Sequence, residues 1–256
     1  MKIEVLYDQG EARFPEDGIV VMPPSRIGVF DCFSAPYVGA PPLVNGMTSG
    51  QTVRQQILLS LQEPNDLETA ILSANRAVSC LPYDGLAGAA FVFAEIGERD
   101  VSIVQAADCV AVWKLPEIPE IYFTPNQFAK YEAELRRTFH SMLEQSGGDK
   151  TRAWALFRPF LEKHRREHQN RSYAVINGNP SIEYHWRKIE IPLPEVLLLF
   201  TDGFLVSGYE ENLLAAVLYR HFLFNDGLRQ ALRWTRSNGS SEHGGLPEAT
   251  AIAVRF

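Results

Sequence analysis

Four short segments of this sequence set acidic residues at or just after the end of an apolar run. They are Pro15-Glu16-Asp17-Gly18, Ile27-Gly28-Val29-Phe30-Asp31-Cys32, Val196-Leu197-Leu198-Leu199-Phe200-Thr201-Asp202-Gly203 and Pro247-Glu248-Ala249-Thr250. A buried strand ordinarily ends in turn residues rather than repeatedly in carboxylates. An ionised carboxylate beside a dry core is costly unless it is paired or coordinates a metal. Several such groups drawn together from distant strands repel one another. A hard divalent cation such as Mg²⁺ or Mn²⁺ resolves that repulsion, because it prefers oxygen ligands. Each residue alone also has a plain reading: Asp17-Gly18 and Asp202-Gly203 as turns, Asp108 in a structural ion pair, Glu248 as a loop carboxylate, Arg13 as a surface arginine.

The elements that must position these residues follow from periodicity. Lys2 to Tyr7, Gly18 to Met22 and Arg26 to Phe30 read as strands, with Pro23-Pro24 as the connection between the last two. A loop rich in small residues runs from Ser34 to Gly50. Gln51 to Leu61 has helical spacing, and Asp66 is the expected N-cap of a second helix reaching Cys80. Gly85 to Phe93 and Val101 to Lys114 read as strands around a turn at Gly97-Glu98-Arg99-Asp100. Asn126 to Gln145 and Thr151 to His168 read as helices, with Pro159 expected to bend or limit the second. Tyr173 to Ile176 and Ile182 to Ile191 read as paired strands around an Asn177-Gly178 turn. Leu197 to Phe200 is a buried strand. Glu211 to Tyr219 and Leu228 to Trp234 are helical in pattern, and Ala249 to Phe256 alternates as a last strand. Neighbouring hairpins imply antiparallel pairing and an α+β fold. The expectation is one domain over residues 1–256, with a helical insertion or cover at about 117–170.

Composition narrows the function classes. The chain has 256 residues, 46% hydrophobic and 21% charged, which is ordinary for a soluble globular protein. A net charge of −7 argues against nucleic acid or an acidic membrane surface as partner. No stretch is long and apolar enough to cross a bilayer, and the N-terminus lacks a signal-peptide core. Three cysteines (Cys32, Cys80 and Cys109) form no paired framework, which reads as reduced thiols in the cytoplasm. None begins a Cys-x5-Arg phosphate loop. His164 and His168 are four apart on a helix, yet with no third ligand nearby they read as part of a solvated basic face rather than a zinc site. The basic run from Lys163 to Arg171 reads first as a complement to the helix dipole and second as a dock for an acidic or phosphorylated partner.

Read in order, the motifs resemble the metal-dependent serine/threonine protein phosphatases of the type 2C family. Glu16-Asp17 before a strand is similar to that family's early Glu-Asp motif, and Val29-Phe30-Asp31-Cys32 to its Val-Phe-Asp-Gly. Gly88-Ala89-Ala90 resembles its Gly-Ser/Cys-Thr strand, and Val104-Gln105-Ala106-Ala107-Asp108-Cys109 its Ala-x-Val-Gly-Asp-Ser strand. Thr201-Asp202-Gly203 resembles its Ser/Thr-Asp-Gly motif. Ala249-Thr250-Ala251-Ile252-Ala253-Val254 resembles its closing strand. The resemblance implies a four-layer α-β-β-α sandwich with two antiparallel sheets and a centre of two, or fewer, Mg²⁺ or Mn²⁺ ions. It implies that Asp31 bridges the ions, that the Cys32 carbonyl replaces a glycine carbonyl, and that Glu16 and Asp17 contact one ion through water. It implies that Asp202 holds the other ion, that Asp108 lies near a third, weaker one, and that Arg13 binds phosphate. The implied reaction is in-line attack of a metal-activated water on phosphoserine or phosphothreonine in a protein substrate.

Three departures bear on activity. Pro247 stands three residues before Thr250, where the family has a ligating aspartate; Glu248, Glu242 or His243 are the substitutes on offer. Cys32 replaces a glycine, and Phe33 a frequent histidine. These favour a second reading, a catalytically weak or inactive phosphatase-like domain that binds a phosphorylated or regulatory partner. A third is hydrolysis of small phosphoesters. The sequence is silent on oligomeric state.

Overall fold

The computed structural model describes residues 1–22, 25–63, 65–204, 227–238 and 246–256. Pro23-Pro24, the expected helix at 211–219, the break at Asn225-Asp226, and most of the loop expected at 237–245, with Glu242 and His243, lie outside the described residues. The strands are β1 (Lys2–Asp8), β2 (Gly18–Met22), β3 (Arg26–Phe33), β4 (Gly88–Ile96), β5 (Asp100–Ala106), β6 (Val110–Lys114), β7 (Ile121–Phe123), β8 (Arg187–Pro192), β9 (Val196–Phe200) and β10 (Ala249–Arg255). The described helices are α1 (Ser49–Leu61), α2 (Leu67–Ser79), α3 (Ala129–Gln145), α4 (Lys150–His168) and α5 (Gly227–Asn238). The chain divides into two compact units, residues 1–31, 91–126 and 187–256 in one and 32–90 and 127–186 in the other.

The first unit is built on two antiparallel five-stranded sheets, ordered β1-β10-β9-β6-β7 and β2-β3-β4-β5-β8. The α+β, two-sheet expectation agrees with this. In β9 the residues Val196, Leu198 and Phe200 face α5, whose Leu228, Ala231 and Leu232 join them with Ala249, Ala251 and Ala253 of β10 in one apolar cluster. Leu197 and Leu199 point to the other face and are equally buried. A strand covered on both faces carries no polar alternation, which is why Val196 to Phe200 is an unbroken apolar run. Each such side chain removed from water contributes about 1.5–3 kcal/mol.

Two sequence expectations change here. Val101 to Lys114 is two strands, not one. Ala107 adopts a left-handed backbone (φ 57°), and the fully buried Gln105 donates through Nε2 to the carbonyls of Ala107 and Cys109, each at 3.0 Å. That corner carries the chain from one sheet to the other. Tyr173 to Ile176 forms only isolated bridges, Ala89 with Ile176 and Gln169 with Tyr173, while Pro180–Tyr184 is a 3₁₀ turn and β8 pairs with β5. The Asn177-Gly178 pair is a corner because its backbone donors are taken: both N–H groups donate to Asn75 Oδ1, at 3.2 and 2.8 Å.

Capping explains the helix starts in the second unit. Thr48 and Gln51 form a capping box at α1. Asp66 accepts from the Thr69 N–H at 3.0 Å, and these bonds from Thr69 hold its carboxyl below the usual range. Asp149 caps α4, and α4 continues through Pro159 to His168, so the proline does not limit it. No described helix is long and apolar enough to cross a membrane.

His164 on α4 is 3% exposed and lies among the rings of Tyr131, Phe128, Phe160 and His168. Burial first, then the neighbouring His168 and Arg165, push its pKa down, against the pull of Glu134 and Glu167. The unfolded chain therefore binds a proton at His164 more readily than the folded one. Stability from this site is complete above the ordinary histidine value near 6.5 and is lost as pH falls through and below it. In urea titrations at pH 7.5 and 5.5, His164→Phe is expected to lose less stability across that interval than the parent. Equal losses would remove His164 as a source of acid sensitivity.

Candidate functional site

Strand register brings the acidic residues together. Gly18 pairs with Phe30 between β2 and β3, so Asp17 and Asp31 fall opposite each other one step beyond. Val110 pairs with Phe200 between β6 and β9, which sets Asp108 against Asp202 two steps beyond. Ala251 pairs with Phe200, and Thr201 and Thr250 continue that ladder, the Thr201 N–H donating to the Thr250 carbonyl at 3.0 Å. All of these positions belong to the first unit.

Electrostatics confirm that the carboxylates are near one another. Asp17 is 2% exposed, and its pKa rises to about 7; burial is the main cause, then the Glu248 charge, with Asp202 adding and the Thr250 and Thr201 hydroxyls opposing. Asp31 is partly buried, and its carboxyl lies well above the usual carboxylate range, through burial first and then Asp17, Asp202 and Asp108. It shares a hydrogen bond with Asp17. Cys109 is fully buried, and burial followed by these same carboxylates drives its thiol upward, which disfavours a nucleophilic thiolate.

The remaining expected residues are placed as follows. Glu248 accepts from Tyr7 Oη at 2.7 Å, Asp17 N at 3.0 Å and Glu16 N at 2.9 Å, so both of its oxygens clasp the segment before β2. Glu16 is partly buried, and Asp202 is exposed at the start of a 3₁₀ turn. Cys32 is buried on β3 directly after Asp31. Arg13 is exposed and lies over the Phe14 ring at 5.2 Å.

Motif reading missed the supports. The buried Thr201 hydroxyl donates to Asp17 Oδ2 at 2.8 Å and accepts from the Thr250 N–H at 3.0 Å, tying the ends of β9 and β10 to Asp17. Gln105 fixes the corner that presents Asp108. Both threonines and the glutamine stood in quoted motifs, and a polar residue within or beside an apolar run next to an acid was the available signal.

The donor set suits a hard divalent cation in kind: oxygen ligands that repel one another. The carboxylates are near enough to act on one another, yet among the described residues no three or more His, Cys, Asp or Glu side chains form a group able to hold a metal ion.

Neither a family model nor a curated protein matches the chain. Solved structures do. The serine/threonine phosphatase PstP/Ppp of Mycobacterium tuberculosis superposes with a TM-score of 0.61 at 15% identity, over 100% of this chain and 98% of that one. Stp1, a serine/threonine phosphatase of Staphylococcus aureus, gives 0.61 at 15% identity, over 100% and 94%. The PstP catalytic domain in complex with two manganese ions gives 0.58 at 14% identity, over 98% and 96%. The fold is that of the type 2C serine/threonine phosphatases.

Proposed function

We propose that this chain is a metal-dependent phosphomonoester hydrolase that removes phosphate from phosphoserine or phosphothreonine in proteins. The convergence of Asp17, Asp31, Asp108 and Asp202 at one end of the two sheets carries the reading. The shared fold supports it, as does the manganese held by one protein of that fold. Asp31, Asp17 and Asp202 would hold the cation, with Asp108 beside them, the Cys32 carbonyl next in the chain and Glu16 at one remove. A divalent cation bound there supplies a water ionised near neutral pH. Thr201 keeps the Asp17 carboxylate aimed, and Glu248 serves as a strut rather than a ligand. Arg13 would leave the Phe14 ring to meet a phosphoryl oxygen bidentately.

The test is hydrolysis of a chromogenic phosphomonoester and a phosphothreonine peptide with Mn²⁺, with and without chelator. Turnover should require Mn²⁺ and fall more than about a hundredfold in Asp31→Ala, beyond the usual loss for a group one shell out. A second reading, a non-catalytic domain that binds a phosphorylated partner, is favoured by the ungrouped donors and by Glu248, whose oxygens are engaged where Pro247 offers no ligand. Absence of Mn²⁺-dependent turnover in protein that melts cooperatively selects that second reading. Preference for the small ester over the peptide would instead point to small phosphoesters.

A further inference from the structure

The second unit contains a cavity of about 550 Å³ between the ends of α2 and α4 and the corner at 177–180. Arg165, Arg166 and Arg171 line it, and among the described residues Asp84 is the one acidic residue in its wall. Arg165 is committed to structure: its guanidinium donates to the Ser34 carbonyl at 2.7 Å and to that of Leu86, and stacks over the Phe33 ring at 4.4 Å. Arg166 and Arg171 are different. Both are exposed, and neither guanidinium makes an ion pair or hydrogen bond with any described group. On the same helix Arg158 pairs with Glu162 at 3.0 Å and Lys163 with Glu167 at 3.8 Å, so the glutamates within reach of Arg166 serve other cations.

A complement to the helix dipole would account for Arg166 in the last turn. It does not account for Arg171, beyond the helix end, or for the wall these arginines face. That wall is pinned by buried amides. Asn177 Nδ2 donates to the Gly85 carbonyl at 3.3 Å and to Gln169 Oε1 at 3.1 Å, and Asn170 Nδ2 donates to Asn177 Oδ1 at 2.7 Å. Asn75, Gln169, Asn170 and Asn177 are each no more than 8% exposed. Gly178, at φ 91°, packs so tightly on Ser79 that an added β-carbon would lie 2.6 Å from its Cα. Burying four amides in a fully satisfied network yields a rigid concave surface. Two unpaired guanidinium forks on such a surface match the oxygens of a phosphate, and a cavity of this size holds an organic ligand rather than the bare ion.

We propose that this cavity is a binding site for the phosphomonoester group of an organic ligand, held by Arg166 and Arg171. The proposal uses residues of the second unit alone and does not depend on the chain being a hydrolase. Calorimetric titration of the full chain in chelator tests it. The probes are a phosphoserine peptide, its unphosphorylated twin, phenyl phosphate and inorganic phosphate. The variants are the double Arg166→Ala/Arg171→Ala and the single Arg171→Glu, both at exposed positions. Phosphate-dependent binding of the peptide or of phenyl phosphate is expected, weaker by at least about tenfold in both variants. Binding of the peptide alone assigns a phosphopeptide as the source, and binding of phenyl phosphate as well assigns any organic monoester. Binding of inorganic phosphate alone, no phosphate-dependent heat, or equal affinity in the variants overturns the proposal.

Discussion

Asp31→Asn is expected to raise the melting temperature of chelator-treated protein at pH 7.5 while abolishing Mn²⁺-dependent turnover. Most substitutions of buried polar residues destabilise; this one reverses that rule, because burial and the charges of Asp17, Asp202 and Asp108 all oppose the ionised form of Asp31. An asparagine of nearly the same shape removes one charge, and its amide can donate to the Asp17 carboxylate. Relief on the order of 2 kcal/mol corresponds to a rise of about 4–8 °C for a chain this size. The pH dependence has a definite sign. Asp17 is raised to about 7 and Asp31 well above the ordinary value of 3.8, so the folded state binds these protons more tightly than the unfolded one. Their contribution to stability is fully present below 3.8 and is lost as pH rises through the folded values, opposite to the usual salt-bridged carboxylate. In chelator the parent should lose melting temperature from pH 5 to 8, and Asp31→Asn should lose less. Mn²⁺ should restore the parent by mass action and leave the variant unmoved. A variant that melts below its parent in chelator would mean that the cluster is held by compensating contacts, and the metal-site reading would lose its support.

What the sequence revealed divides along a physical line. Buried strands such as Val196 to Phe200 announce themselves because a strand covered on both faces must be apolar throughout. Helix starts at Thr48 and Asp66 were readable for α2 and slightly late for α1, since a capping side chain is a local signal. The acidic residues were legible at the ends of apolar runs, and their order along the chain carried the family resemblance. Register was not legible: that Asp17 faces Asp31 and Asp108 faces Asp202 depends on pairing between strands distant in sequence. The Asn177-Gly178 corner was misread because hairpin statistics describe isolated turns, whereas here the side chain of Asn75, about a hundred residues away in sequence, takes both N–H groups. The strand break at Ala107 was hidden for a related reason: the left-handed residue is an alanine, and its cause is the Gln105 side chain two residues earlier. Glu248 was read as a stand-in for the ligand that Pro247 cannot supply; the bonds it accepts from Tyr7 Oη, Glu16 N and Asp17 N were not legible, because those donors are more than two hundred residues away in sequence.

Gly203→Ala should be the most damaging single methyl group added to the first unit. Gly203 is not in the left-handed region, so the cost is steric. A β-carbon there would lie 1.7 Å from the Glu248 carbonyl oxygen and 2.8 Å from its carbon. Backbone cannot swing aside as a side-chain tip can, so either the turn after β9 or the segment before β10 must move. Movement of the first pulls Thr201 from Asp17 and from the Thr250 N–H. Movement of the second drags the Glu248 carboxylate from Tyr7, Glu16 N and Asp17 N, leaving backbone donors unpaired. Either route costs about 3 kcal/mol or more, a fall in melting temperature of roughly 6–12 °C. Gly147→Ala is the control: its φ of 64° strains an alanine, yet no atom lies within 4 Å of the added carbon. That variant should lose only about 1 kcal/mol, the conformational cost alone. Equal losses in the two variants would show that the approach of the 247–248 backbone to Gly203 does not hold the acidic cluster together. A larger loss in Gly203→Ala, with Mn²⁺-dependent turnover falling at temperatures where the variant remains folded, ties the glycine of the Thr-Asp-Gly turn to the positioning of Asp17 and Asp202.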